Sequence, residues 1–223
     1  MSKSILRESP LVRFNLKAGS ASAAGKEQIQ VWENTFRGHI NLRGDPADSR
    51  FLEVAENVLG FELPLQANTV SGAQETSAFW LGPNEWLIVT AGLQEAAIAQ
   101  GLRSALEGFF CAVTEVSGGQ TIIVLRGKNV HDLLAKGCPL DLHPRAFGPG
   151  RCAQSHLAKA PILLLQMDDE PTFELIARRS FSDYLWLWLQ DAAAEFGLTV
   201  VAPPVVIAAA KPASPVLRAV NMS

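Results

Sequence analysis

One tyrosine, three methionines and three cysteines are all that 223 residues carry of those types. The cysteines Cys111, Cys138 and Cys152 lie far apart and form no Cys-x-x-Cys pair. An odd, sparse set suits free thiols in a reducing compartment better than a disulfide framework. Charge is also scarce: 18% of residues are charged and the net charge is −3. A basic nucleic-acid footprint is therefore absent on average. No apolar run reaches the roughly 18 residues of a membrane span, and the start, MSKSILRESPLVRFNLKAG, lacks a signal-peptide core. The expectation is a cytoplasmic protein with no membrane and no nucleic-acid partner.

Chemistry-bearing motifs are missing too. There is no Walker A sequence and no Gly-x-Gly-x-x-Gly fingerprint. Ser117-Gly118-Gly119 lacks the frame of a nucleophile elbow and reads as a turn. His39, His131, His143 and His156 make no pair at metal-binding spacing, so they read as non-ligands. Cys138 and Cys152 bound an unusual loop, CPLDLHPRAFGPGRC, and read as buried structural thiols. Asp168, Asp169 and Glu170 cluster at a turn and read as solvated. No catalytic residue and no metal site is assigned.

What is present is a core: 48% of residues are hydrophobic. Residues 1–35 read as an N-terminal segment and linker, with small polar residues over 17–30, and 203–223 as an extended Pro/Ala/Val tail. Between them, HINLRG (His39–Gly44) is a strand. Asp45 and Pro46 open a helix that Gly60 ends. Strands at 78–82 and 85–90 surround a Gly-Pro-Asn tip, a helix spans 93–107, and 112–117 alternates as a strand. The order is β-α-β-β-α-β.

After Ser117-Gly118-Gly119 the order restarts. TIIVLRG is a strand, Asn129 caps a short helix, and strands at 161–167 and 172–178 flank an acidic tip. Ser180 and Asp183 suggest a capping box for a helix to about Phe196, and 198–201 is a last strand. Leu42-Arg43-Gly44 recurs 83 residues later as Leu125-Arg126-Gly127. Repeated order and motif predict an α+β fold of two tandem ferredoxin-like halves, 36–117 and 118–202, packed together.

Candidate contact residues come from the tryptophans and the first hairpin. Helical geometry places Trp188 with Phe181, Leu185, Leu189 and Ala192, and turns Trp186 away, toward another subunit. Trp80 and Trp86 flank the LGPNEWL tip at even separation, so one sheet face can hold both. Core packing is the leading expectation for Trp86, and partner contact through Pro83 and Asn84 comes second.

Three stretches carry a family resemblance: INLRGDP…FLEVAENVLGFELPLQANTV, AFWLGPNEWLIV and VLRGKNVHDLLAKGCPLDLHPRAFGPGRCAQSHLAKAPILL. Together they resemble the gamma subunit of heterotetrameric sarcosine oxidase, over about Phe36–Gly197. The second half is more distantly similar to the T-protein (aminomethyltransferase) family, through Asp141-Leu142, Phe147, Phe173 and Glu174. Where that family's folate hairpin has a tyrosine and a second glycine, this chain has Met167 and Pro171. Gly60-Phe61-Glu62-Leu63-Pro64 replaces its Asn-Asp. These losses argue against an active aminomethyltransferase.

The resemblance implies an accessory, non-catalytic subunit without a cofactor of its own. It also implies alpha, beta and delta partner subunits, which hold FAD, FMN, NAD and tetrahydrofolate and oxidatively demethylate sarcosine to glycine. The alternative is a free-standing folate-binding protein of the T-protein kind, with Glu174 as its folate-site candidate. An RNA-binding module fits worst, because TIIVLRG and HINLRG lack the aromatic pattern and the charge has the wrong sign.

Overall fold

The computed structural model describes residues 7–16, 29–73 and 75–203. Most of the expected linker, 17–28, and the tail from 204 onward lie outside the described residues. The fold is α+β with two sheets.

Among the described residues, eleven strands and four α-helices follow in chain order: β1 (Ile29–Glu33), β2 (Gly38–Arg43), α1 (Ser49–Leu59), β3 (Val70–Ala73), β4 (Thr76–Gly82), β5 (Glu85–Thr90), α2 (Glu95–Ala105), β6 (Ala112–Glu115), β7 (Gln120–Arg126), α3 (Val130–Ala135), β8 (Cys152–Leu157), β9 (Ala160–Gln166), β10 (Thr172–Arg178), α4 (Ser182–Ala192) and β11 (Leu198–Val200). One sheet runs β3-β4-β5-β2-β6 and the other β11-β1-β7-β10-β9-β8.

Period-two alternation decides which way each strand faces. Ile40 and Leu42 of β2 join Phe51 and Ala55 of α1 and Ala99 and Leu102 of α2 in one core. Ile123 and Leu125 of β7 join Leu133 and Leu134 of α3 and Leu185 and Leu189 of α4 in a second. The opposite sheet faces meet each other: Phe79, Leu87 and Val89 pack with Ile122, Val124, Leu163 and Ile176. Helices thus cover the outer faces, and an apolar seam joins the two sheets.

The Leu-Arg-Gly echo has a structural counterpart. Leu42 and Leu125 are both fully buried on helix-facing sides, and each is followed by an exposed arginine. Gly44 is required by close approach: a Cβ there would stand 2.3 Å from the Phe51 ring. Gly127 is required by its backbone, with φ +134°.

Several expectations are corrected. Residues 29–33, assigned to the N-terminal segment, form β1, which lies between β11 and β7. Leu11, from the same segment, is buried in the second core. β3 and β8 were not expected. β8 is an edge strand whose Gln154 and His156 are exposed on the side of the buried Cys152, so it lacks a strong apolar signal. Asp48, not Asp45, caps α1, accepting from the Arg50 amide at 3.0 Å, while Asp45 accepts from Ala47 in the preceding turn. The capping box at Ser180 is absent. A 3-10 turn spans Arg179–Phe181, Ser182 Oγ donates back to the Arg179 carbonyl, and α4 ends at Ala192 rather than Phe196.

Candidate functional site

The first hairpin separates its two expected roles. Trp86 is 0% exposed and lies on the helix-facing side of β5, beside Phe51 at 6.0 Å between ring centroids. Its indole Nε1–H donates to the Pro64 carbonyl at 2.8 Å, so the polar end of the ring is satisfied inside the core. Trp80 is its cross-strand partner, so both rings are on one sheet face. The tip residues Pro83 and Asn84 are exposed. Asn84 lines a surface hollow with Arg43, Asp45 and the wholly exposed Phe110.

The tryptophans of α4 exchange their expected places. Trp186 is 2% exposed and packs against Phe14 at 6.1 Å, whereas Trp188 is only partly buried and borders the core. The N-terminal segment covers the face that would otherwise have left Trp186 open. Gly137 receives the edge of Trp188: a Cβ there would stand 2.6 Å from its Cζ2.

The residues behind the T-protein resemblance are largely core. Leu142, Phe147 and Phe173 are buried together. Phe173 stacks near-parallel on Phe147 at 6.4 Å, and His131 meets its ring edge-on at 5.2 Å. Glu174 follows on the seam-facing side of β10. Burial raises its pKa, offset in part by the positive charge of Arg37 and by a hydrogen bond from Asn34.

Burial raises the pKa of two thiols, Cys111 and Cys152. Cys111, Cys138 and Cys152 are all free. Cys152 Sγ lies 3.2 Å from the Thr69 carbonyl, and burial pushes its pKa up to about 11. Among the described residues no group of three or more His, Cys, Asp or Glu could hold a metal ion.

One polar site escaped the sequence. A cavity of about 400 Å³ opens at the end of the seam, where Arg7–Pro10 of the N-terminal segment meets the β1–β2 turn and the β6–β7 turn. His39, opposite the core-facing Ile40 of β2, and Gln120 line it. His39 is 2% exposed, and neither ring nitrogen has a partner. Arg37 Nε and Gln120 Oε1 are buried and unpartnered as well. Burial, aided by the Arg37 charge, lowers the His39 pKa to about 4, so the imidazole is neutral at pH 7. Glu33 accepts hydrogen bonds from the Ser9 and Thr121 hydroxyls. Arg7 crosses to the buried Glu95 at 2.8 Å and ties the N-terminal segment to α2. A histidine directly before a strand's first apolar pair carried no signal for this, because the seam-facing role of β2 depends on the second sheet.

His39 makes a measurable contribution to pH dependence. Its folded pKa lies below the unfolded value of 6.5, so the unfolded chain binds the proton first as pH falls. Stability is expected to drop by about 3 kcal/mol between pH 6.5 and 4 from this residue alone. Denaturant melts of the parent and of His39→Gln across that window check this. The difference between the two should narrow steadily with acid, and a constant difference would contradict the buried neutral imidazole.

Comparison with known proteins gives a consistent result. Residues 43–195 match the family described as "Sarcosine oxidase, gamma subunit family". "Sarcosine oxidase subunit gamma" of Corynebacterium sp. (strain P-1) is 33% identical over 198 residues, 88% of this chain and 95% of that one. The same subunit of Arthrobacter sp is 33% identical with the same coverage. Among solved structures, a chain of the heterotetrameric sarcosine oxidase from Corynebacterium sp. U-96 superposes with a TM-score of 0.77 at 30% identity, covering 85% of this chain and 96% of that chain. The glycine cleavage system aminomethyltransferase T of Bartonella henselae shares the fold at 14% identity and TM-score 0.66, over 88% of this chain and 60% of its own. The chain belongs to the sarcosine oxidase gamma subunit family.

Proposed function

We propose that this chain is an accessory, non-catalytic gamma subunit of a heterotetrameric, flavin-dependent sarcosine oxidase in the cytoplasm. In this reading alpha, beta and delta subunits are its partners, and they hold FAD, FMN, NAD and tetrahydrofolate while sarcosine is demethylated to glycine. The observation that carries it is the near full-length match to a chain of a heterotetrameric sarcosine oxidase. The division into halves at 36–117 and 118–202, with a tail from 203, belongs to the same reading, and the Leu-Arg-Gly counterpart supports it.

The partner-facing surface of this reading is the hollow at the first hairpin tip. Pro83 and Asn84 are exposed, and Phe110 beside them is left entirely in solvent. An exposed aromatic ring flanked by Arg43 and Asp45 has the make-up of an interface anchor with a polar rim. Trp86 and Trp186 are buried within the chain, so this reading gives them no partner contact.

Glu174 keeps a second reading in view, a folate-binding chain that acts by itself, because Arg37 and Asn34 surround it. One titration separates the two. The isolated full-length chain is expected to purify colourless, without flavin absorbance, to leave sarcosine unoxidised, and to give no saturable fluorescence change with tetrahydrofolate. A stoichiometric flavin spectrum would overturn the accessory reading. Saturable folate binding lost in Glu174→Gln would favour the second.

A further inference from the structure

We propose that the seam-end cavity and the Phe36–Leu93 ridge beside it form a second partner surface, which takes a segment of another subunit that inserts an arginine or lysine side chain between apolar neighbours. The inference rests on the accessory-subunit reading and is separate from the hairpin-tip hollow.

Two bulky apolar residues stand at this surface in a backbone region that such side chains rarely adopt. Phe36 has φ +59° and Leu93 φ +71°. The β1–β2 turn and the β5–α2 loop hold them close together: a Cβ on Gly92 would stand 2.4 Å from the Phe36 carbonyl oxygen. The left-handed conformation is strained for both. Yet Phe36 is 47% exposed and Leu93 78%, so packing within the chain does little to offset the strain. Strain held at exposed apolar residues points to a contact made on binding.

The cavity supplies the charge. Its wall carries Glu8, Glu33 and Glu115, and none of the three is in an ion pair among the described residues. Of its arginines, Arg7 is paired with Glu95 at 2.8 Å and Arg37 faces Glu174. Among the described residues of the wall that leaves Arg179, whose Nη2 donates to the Glu8 carbonyl, against three carboxylates. The wall is negative on balance and favours a cation.

Buried polar groups point to the kind of cation. His39 is 2% exposed and lines the cavity, and neither ring nitrogen has a partner. Gln120 Oε1 and Arg37 Nε are buried and unpartnered as well. Such groups are almost always hydrogen-bonded in folded proteins. A guanidinium or ammonium offers donors only, which answer Gln120 Oε1, the acceptor nitrogen of the neutral imidazole and the carboxylates. Arg37 Nε–H and the His39 N–H need acceptors instead. The backbone carbonyls of a peptide supply these, and a simple amine does not. A cavity of about 400 Å³ has room for one long basic side chain. Apolar residues beside it in the same segment would cover Phe36 and Leu93.

The test uses the affinity-tagged full-length chain, made in cells that make the other subunits, with the photo-cross-linker p-benzoylphenylalanine in place of Leu93. Mass spectrometry of the irradiated, purified assembly should join this position to another subunit, within about four residues of an arginine or lysine, the reach of an extended segment across the cavity mouth. Leu93→Asn suits the left-handed backbone. It should leave the melting temperature of the chain unchanged or raised, while the assembly dissociates on dilution at an at least about tenfold higher concentration. Glu115→Lys should weaken assembly about tenfold, and changing the cross-linked basic residue to Glu should recover it. A cross-link to residues 1–6 of this chain, to a second copy or to a segment without a basic residue would overturn the assigned occupant. A silent position 93 in an intact assembly, or parent-like assembly by both variants, would overturn the surface and leave the accessory reading standing. A chain that joins no assembly would overturn the accessory reading and this surface with it.

Discussion

Trp86→Ala is expected to destabilise the chain by about 3–5 kcal/mol and to lower its melting temperature by roughly 10 °C. The ring is fully buried in the core between the five-stranded sheet and α1. Removing it leaves a cavity beside Phe51, whose centroid is 6.0 Å away. It also leaves the Pro64 carbonyl without its indole donor. Trp86→Phe divides the two effects: it keeps most of the volume and loses only the hydrogen bond, at about 1–3 kcal/mol. Thermal melts of the three proteins measure this, with capture of partner subunits at low temperature as the second readout. An unchanged melting temperature with lost capture would move Trp86 out of the core and into the interface.

Phe173→Ala is expected to cost a similar amount, about 3–5 kcal/mol, for a different reason. Phe173 is fully buried in the other helix-facing core, stacked on Phe147 and met edge-on by His131. The aromatic pairing adds to its area burial by about 0.5–1.5 kcal/mol. Phe147→Ala in the Phe173→Ala background should therefore cost less than Phe147→Ala alone, by about that amount. Denaturant melts of the double-mutant cycle decide it. Strict additivity would show that the two rings do not act together.

These two residues also show what a sequence reveals and what it hides. TIIVLRG was readable as a strand and forms β7, and the even separation of Trp80 and Trp86 put both rings on one face. The pattern of α4 was readable as a helix but not as a choice of face. Trp186 and Trp188 are both flanked by leucines, and Phe14, far away in sequence, covers the side that holds Trp186. β1 was hidden in the same way. IQVWE is short and follows a polar stretch, and its strand character comes from pairing on both sides with β7 and β11.

The seam-end cavity was the least legible feature. Its polar residues are spread over four separate segments, and His39 has no partner in sequence at any informative spacing. Only the stacking of two sheets brings Arg37, His39 and Gln120 together. The T-protein-like residues behaved oppositely. Leu142, Phe147 and Phe173 were visible as a motif, and their burial explains why a packing core can persist where Met167 and Pro171 replace the hairpin's tyrosine and glycine.

The accessory-subunit account is tested most directly by purifying an affinity-tagged form of this chain from the cells that make it. The account predicts that three further subunits co-elute in fixed ratio, with flavin absorbance and sarcosine-oxidising activity in the same fractions. A tagged chain that elutes alone, while all sarcosine oxidation resides in fractions lacking it, would contradict it.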